Sequence, residues 1–236
     1  MPPIAPQFIR SFMDLGFGTE ILYSFVIIVC SLMIYFGTKE LYELSSHKGI
    51  KYFRQAFLFF AIAYFFRSFI KFILLYFNAS QLLDIRHHAS GFIFSQLTLG
   101  IFMYFSAMAI FYLLYSVMYK KWNSDSKKIY LFHALAFAIA LISTVFGNSL
   151  VYLGINFLLL LFVVFTFFVS RKQSKRKKSK HNLHIIYTLL FSFWILNVID
   201  ILIPSFFQTF QLLIYLASLG IFFVMVYKVL KRTGAS

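Results

Sequence analysis

The sequence predicts an all-α polytopic membrane protein, a bundle of seven transmembrane helices with its N-terminus outside and its C-terminus in the cytoplasm. Three observations carry that expectation. Of 236 residues, 61% are apolar and 12% charged, against roughly 25% charged in an ordinary soluble chain. Apolar runs long enough to cross about 30 Å of hydrocarbon recur along the whole chain. The basic residues gather on alternate breaks between those runs. Such a composition excludes a soluble globular domain, a disordered tail and a nucleic-acid-binding module.

The expected spans are 20–37, 53–77, 91–119, 129–147, 150–170, 183–204 and 206–228, in one domain over 1–236. The first 19 residues lack the apolar core and small-residue cleavage site of a signal peptide, so the first span is expected to persist. The third run is long enough to tilt or to project beyond the bilayer. Gly147-Asn148-Ser149 and Pro204-Ser205 are read as tight turns separating spans that would otherwise fuse into implausibly long helices. Asn78-Ala79-Ser80 matches the N-glycosylation pattern and falls on the outer side of this arrangement.

Charge sets the orientation. Lys39, Lys48, Lys51 and Arg54 lie in the first break, and Lys120, Lys121, Lys127 and Lys128 in the third. Arg171, Lys172, Lys175, Arg176, Lys177, Lys178 and Lys180 fill the fifth, and Lys228, Lys231 and Arg232 end the chain. Eighteen of 22 basic residues therefore share one side, which the positive-inside rule makes cytoplasmic. That asymmetry accounts for most of the +15 net charge without a nucleic-acid partner. A charge run such as 171–180 is ordinarily a solvated face. Its functional reading is a cytoplasmic basic patch for anionic lipid headgroups or an acidic protein partner.

Polar residues concentrate in the outer half of the spans. Counting 1.5 Å per residue from Arg54, Arg67 lies about 20 Å into the second span, with Lys71 one turn further on the same face. Asp200 reaches a similar depth in the sixth span, and Glu20 opens the first. Trp194, Asn197 and Asp200 recur at three-residue spacing, which stacks them on one helix face. Gln211 and Tyr215 in the seventh span, Asn156 in the fifth and Gln96 in the third fit the same side. Charged or amide groups facing lipid would leave donors unpaired, so these stripes are expected to point inward. The expected site is thus Arg67, Lys71, Gln96, Asn156, Trp194, Asn197, Asp200, Gln211 and Tyr215. With Arg67 and Lys71 it would be cationic and suit an anionic or zwitterionic ligand. The structural alternative is an ion pair from Arg67 to Asp200 or Glu20 that ties helices together, with Lys71 reaching the headgroups.

Residues 52–69 align with 185–202, placing Arg67 on Asp200, and 104–121 align with 215–232. Two parallel three-helix repeats joined by a linker helix would produce this pattern. The three-plus-one-plus-three layout resembles the microbial rhodopsins and the SWEET sugar transporters in topology, which implies a seven-helix fold with the N-terminus outside. The chain departs from both. Its one lysine in the last span, Lys228, sits at the cytoplasmic end rather than where a retinal Schiff base forms, and its prolines, Pro2, Pro3, Pro6 and Pro204, leave the span interiors without one. The stretch KGIKYFRQAFLFFAIAYFFRSF resembles archaeal multi-pass proteins.

Enzyme signatures are missing. There is no H-E-x-x-H and no G-x-S-x-G, and a single intramembrane Asp cannot form a carboxylate dyad. Cys30 is the only cysteine, and the adjacent His87 and His88 would diverge on a helix. His133 and His184 lie near one membrane boundary and are read as packing or interface histidines more readily than as ligands. No enzymatic activity, cofactor or metal is expected. The expected function is a receptor-like or sensory bundle of the cell membrane that binds a small ligand in its outer half. The alternatives are a small-solute or ion transporter, supported by the repeat and the Arg67–Asp200 pair, and a structural subunit of a membrane complex.

Overall fold

The structure, a computed structural model, describes residues 15–82, 88–119, 122, 126–146, 149–176, 183–202 and 208–233. Side chains are described at 18–69, 72, 96–119, 122, 127–146, 150–172, 185–200 and 210–231. Over these residues the chain is all helix: α1 (Leu15–Gly37), α2 (Lys39–Ser45), α3 (Lys48–Leu82), α4 (His88–Met118), α5 (Ser126–Phe146), α6 (Ser149–Arg176), α7 (Leu183–Leu202) and α8 (Gln208–Thr233). Long apolar runs without internal proline favour this outcome, because in a low-dielectric setting a helix satisfies every backbone group within its own segment.

Five helical stretches are long and apolar enough to cross a membrane: Gly18–Ser45, Gln96–Met118, Lys127–Phe146, Leu150–Lys172 and Phe210–Lys231. In the other two long helices the described side chains run over 48–69 and 72 in α3 and over 185–200 in α7, and the apolar stretch of α7 within them is Ile185–Asp200.

Several boundaries depart from the sequence expectation. The seven-residue α2 continues α1 after Thr38, whose Oγ1 donates to the Ile34 carbonyl at 2.7 Å. Ser46 then adopts a left-handed φ of 49° and its N–H closes α2 on the Tyr42 carbonyl at 2.8 Å, turning the chain into α3. The helix α3 runs 35 residues, so Asn78-Ala79-Ser80 lies in its last turns rather than in a loop. Helix α6 extends through Arg176, so the basic run begins as helix.

Packing closes six of the long helices into a ring in the order α1, α3, α4, α6, α7, α8, with α5 lying outside against α4 and α6. The packing has a two-fold pattern. The α1–α3 and α3–α4 contacts are matched by α6–α7 and α7–α8, and the α1–α8 seam is matched by α4–α6. That is the pattern two parallel three-helix units require, with α5 as the connecting helix. Across the ring, α3 and α7 face each other in parallel, joined at three successive levels. Phe60 meets Phe193 edge-on at 6.4 Å between ring centroids, Tyr64 meets Asn197, and Arg67 meets Asp200. These are the same pairs that the sequence alignment makes equivalent.

The core lies along α4, whose residues 106–118 are all buried. A helix apolar on every face is a central one, which gives the long third run a packing reason. In contrast, α5 exposes Tyr130, Phe137, Val145 and Phe146, and α6 exposes Leu150, Phe157 and Phe168. Apolar outer faces of this kind suit a lipid environment.

Candidate functional site

Four helices bring charged and polar groups to one end of the bundle because they alternate in direction. Glu20 lies in the first turns of α1, Arg67 in the later part of α3, Asp200 in the last turn of α7, and Tyr215 two turns into α8. Antiparallel neighbours place all four at one level.

Arg67 is the centre. Its Nη2 donates to Asp200 Oδ2 at 3.2 Å, its Nε to Glu20 Oε1 at 3.4 Å, and its Nη1 to Asn197 Oδ1 at 3.4 Å. The three side chains are only 18%, 13% and 10% exposed for Arg67, Glu20 and Asp200. Shielded pairing of this kind offsets the large cost of removing a guanidinium from water. The guanidinium also lies over two tyrosine faces, 5.8 Å from the Tyr23 ring centre and 5.6 Å from that of Tyr64, an attractive placement against the negative ring face.

The tyrosines extend the network. Tyr64 donates to Asn197 Oδ1 at 3.0 Å, and the Tyr23 and Tyr64 hydroxyls are 3.5 Å apart. Tyr215 stacks on Tyr23 with centroids at 4.5 Å. Asn197 is held in orientation by its own Nδ2, which donates to the Phe193 carbonyl at 3.0 Å, so its Oδ1 is committed to Tyr64 and Arg67. Tyr152 on α6 lies close enough to interact electrostatically with Arg67, Glu20 and Asp200.

One turn along α7, Trp194 packs edge-on to Phe60 with centroids at 6.1 Å and is 6% exposed. Its indole N–H is buried and meets no acceptor among the described residues. Native proteins rarely leave such a donor unmet, and those that do exist commonly mark a water or ligand position.

Of the expected site residues, the structure brings together Arg67, Asn197, Asp200 and Tyr215, with Trp194 one turn away. Asn156 is buried and donates to the Tyr152 carbonyl at 2.8 Å on its own helix, adjoining the cluster through Tyr152. The main-chain carbonyl of Gln96 lies at the α4–α5 contact, where Thr144 Oγ1 donates to it at 3.5 Å, and its side-chain Oε1 is buried with no hydrogen-bond partner among the described residues. Gln211 is half-buried, with no cluster contact among the described residues. The side chain of Lys71 lies outside the described residues. Arg171 and Lys172 are exposed at the far end of α6, Lys175 and Arg176 continue its helix, and Lys177, Lys178 and Lys180 lie outside the described residues.

Among the described side chains the site holds one positive group and two negative ones, with Glu20 joining Asp200 on the same guanidinium; Lys71, which the expected cationic site also counts, lies outside them. The sequence reading treated Glu20 only as an alternative partner and passed over Tyr23 and Tyr64. A signal existed: Glu20–Tyr23, Tyr64–Arg67 and Asn197–Asp200 share three-residue spacing, which puts a second polar group one turn from each charge.

His133 also acquires a structural setting. Its Nδ1 bonds the Tyr104 hydroxyl at 2.7 Å and its Nε2 the Tyr112 hydroxyl at 3.4 Å, tying α5 to α4. His184 lies outside the described side chains. Among the described residues, no three His, Cys, Asp or Glu side chains converge as a metal site would require.

No family model and no solved structure matches the chain. It is similar to a protein of Archaeoglobus fulgidus described as uncharacterized, 28% identical over 226 residues that cover 91% of this chain and 92% of the relative.

Proposed function

We propose that the chain spans the cell membrane seven times, N-terminus outside, as a receptor-like bundle that binds a small ligand at the Arg67 cluster. Five helices already qualify as spans by length and composition. Counting α3 and α7 as spans follows from their position, since both pack between helices that qualify. Arg67 does not argue against α3 once its charge is matched inside the bundle. The orientation rests on the basic ends of the helices. Arg54 donates to the Tyr35 carbonyl at 3.0 Å and lies 4.7 Å from the Tyr35 ring centre, and Lys128 lies 5.5 Å from that of Trp122. Cation–aromatic pairs of this type suit a membrane–water boundary.

The observation that carries ligand binding is the buried indole N–H of Trp194, which meets no acceptor among the described residues, beside a polar cluster drawn from opposite sides of the ring. A purely structural ion pair needs Arg67 and a carboxylate. It does not need an amide, three tyrosines and an indole on the same face. The basic cytoplasmic end, with Arg171 and Lys172 exposed, then faces anionic lipid or a protein partner that receives the signal.

A thermal-shift screen of small anions, zwitterions and cations on detergent-purified protein tests the reading. The expected result is a stabilising ligand whose effect disappears in Asn197→Leu while that variant remains folded. Full retention of every shift in the variant would refute the site. A transporter is the second reading, favoured by the two-fold arrangement of the halves with the charged pair between them. Flux of the stabilising ligand into proteoliposomes separates it from a receptor.

A further inference from the structure

Arg54, at the opposite end of α3 from Arg67, is fixed in place with part of its guanidinium at the surface. It lies in the second turn of α3, half-buried. Its Nε donates to the Tyr35 carbonyl at 3.0 Å, and the group lies 4.7 Å from the Tyr35 ring centre and 5.9 Å from that of Tyr42. One carbonyl of α1 and two rings, from α1 and α2, therefore set its position. Among the described residues no carboxylate pairs with Arg54 and neither Nη nitrogen has an acceptor, yet neither is sealed inside the protein. Glu43 of α2 is paired instead with Lys39, at 3.8 Å. What remains open is the Nη1–Nη2 end of the fork, two parallel N–H groups that match two oxygens of a phosphate. Lys51, three residues earlier on α3, is exposed on the adjoining face.

An apolar path leads to this group. Leu22, Phe25, Val29, Met33 and Phe36 of α1 are all exposed, and their spacing of three and four residues lines them up on one helix face. From Leu22 to Phe36 the stripe runs about 21 Å at 1.5 Å per residue. One leaflet of hydrocarbon is about 15 Å deep, so the stripe is long enough for an acyl chain. It ends where the Phe36 ring meets the Tyr35 ring edge-on, with centroids 5.1 Å apart, and Tyr35 in turn carries Arg54.

Going beyond the ligand reading, and needing only a membrane around the bundle, we propose that Arg54 and Lys51 bind the phosphate of an anionic phospholipid whose acyl chains lie along the Leu22–Phe36 face of α1. The phosphate takes the Nη1–Nη2 end of Arg54, and Lys51 adds a point charge beside it. A free phosphate gains nothing from the apolar stripe. A zwitterionic headgroup brings its own cation next to two others, so a headgroup of net negative charge is selected. Because Arg54 links α1 to α3 across the turn at Ser46, lipid bound there braces that corner of the bundle.

The test titrates the full chain, in a non-ionic detergent, with phosphatidylglycerol, phosphatidylcholine or inorganic phosphate, each read by thermal shift. Phosphatidylglycerol is expected to give a saturable stabilisation, phosphatidylcholine to need about ten-fold more lipid for the same shift, and phosphate alone to give none. Arg54→Gln should abolish the phosphatidylglycerol shift, and Arg54→Lys, which keeps the charge without the fork, should weaken it. If Arg54→Gln fails to fold, the exposed Lys51 decides. Lys51→Gln should leave the lipid-free melting temperature unchanged and weaken phosphatidylglycerol about five-fold, the effect of one cation at a membrane surface. Neutralising Arg171 and Lys172 to Gln, at the end of α6, should leave the lipid effect intact. Equal shifts from the two lipids, an equal shift from phosphate, or a phosphatidylglycerol shift unchanged in the Arg54 and Lys51 variants each overturns the proposal. Asp125, in the basic break 120–128, lies outside the described residues. A stability loss in Asp125→Asn that Arg54→Gln reverses would give Arg54 a protein counter-ion and overturn the lipid assignment as well. Asn197→Leu should keep the lipid shift, so failure at the Arg67 cluster and failure here are read separately.

Discussion

Arg67 illustrates how a single residue changes meaning with its surroundings. In the sequence it is a cation within an apolar run, four residues from Lys71. In the bundle it is bonded to Glu20, Asn197 and Asp200 and lies over two tyrosine rings. Removing one member of a shielded ion pair leaves uncompensated charge, worth about 3–5 kcal/mol. Arg67→Leu is therefore expected to lose that much stability, measured by reversible denaturation in detergent. Adding Asp200→Leu should recover part of the loss, since the second change removes a carboxylate that has lost its bond to Arg67. A double variant no more stable than the single one would contradict the pairing. Trp194→Phe is predicted to behave differently. Its indole N–H has no acceptor among the described residues, so the stability cost should stay near an ordinary substitution, about 1 kcal/mol. The ligand-induced thermal shift should nevertheless fall markedly. A large stability loss with an unchanged ligand shift would give the indole a purely structural role.

At the scale of elements, the α4–α5 contact depends on a small residue. A Cβ placed on Gly100 would collide with Thr144 Oγ1, and Ala140 O also lies within 4 Å of that point. Gly100→Ala should cost about 1–3 kcal/mol through overpacking. Thr144→Ala in the same chain should restore part of it, because the obstructing atom is removed. Additive losses in the double variant would show that the two residues do not share the contact.

For the whole molecule, orientation and architecture are the testable properties. Cysteines introduced at Ser80 and Ser174 in a Cys30→Ala background should react oppositely with a membrane-impermeant label applied to whole cells. Labelling is expected at position 80 and absent at 174, and the reverse pattern would invert the topology. The two-fold packing of α1, α3, α4 against α6, α7, α8 places Arg67 and Asp200 at the meeting of the halves. A ligand that bridges them would act on both halves at once, which either a receptor or a transporter can use.

By itself the sequence determined that the chain is helical, apolar enough for a membrane and asymmetric in charge, because these depend on composition and on runs of about 20 residues. It also placed Arg67, Asn197 and Asp200 at a common depth, since 1.5 Å per residue turns position directly into depth. Rotation about each helix axis and the choice of neighbours were left to the tertiary structure. A chain with 34 phenylalanines spread over its helices has weak sidedness, so periodicity could not say which face meets which helix. Only packing could bury α4 on every side and bring Glu20, Tyr23 and Tyr64 onto one guanidinium. Depth is a one-dimensional property of the chain, whereas the site is a product of how helices distant in sequence face one another.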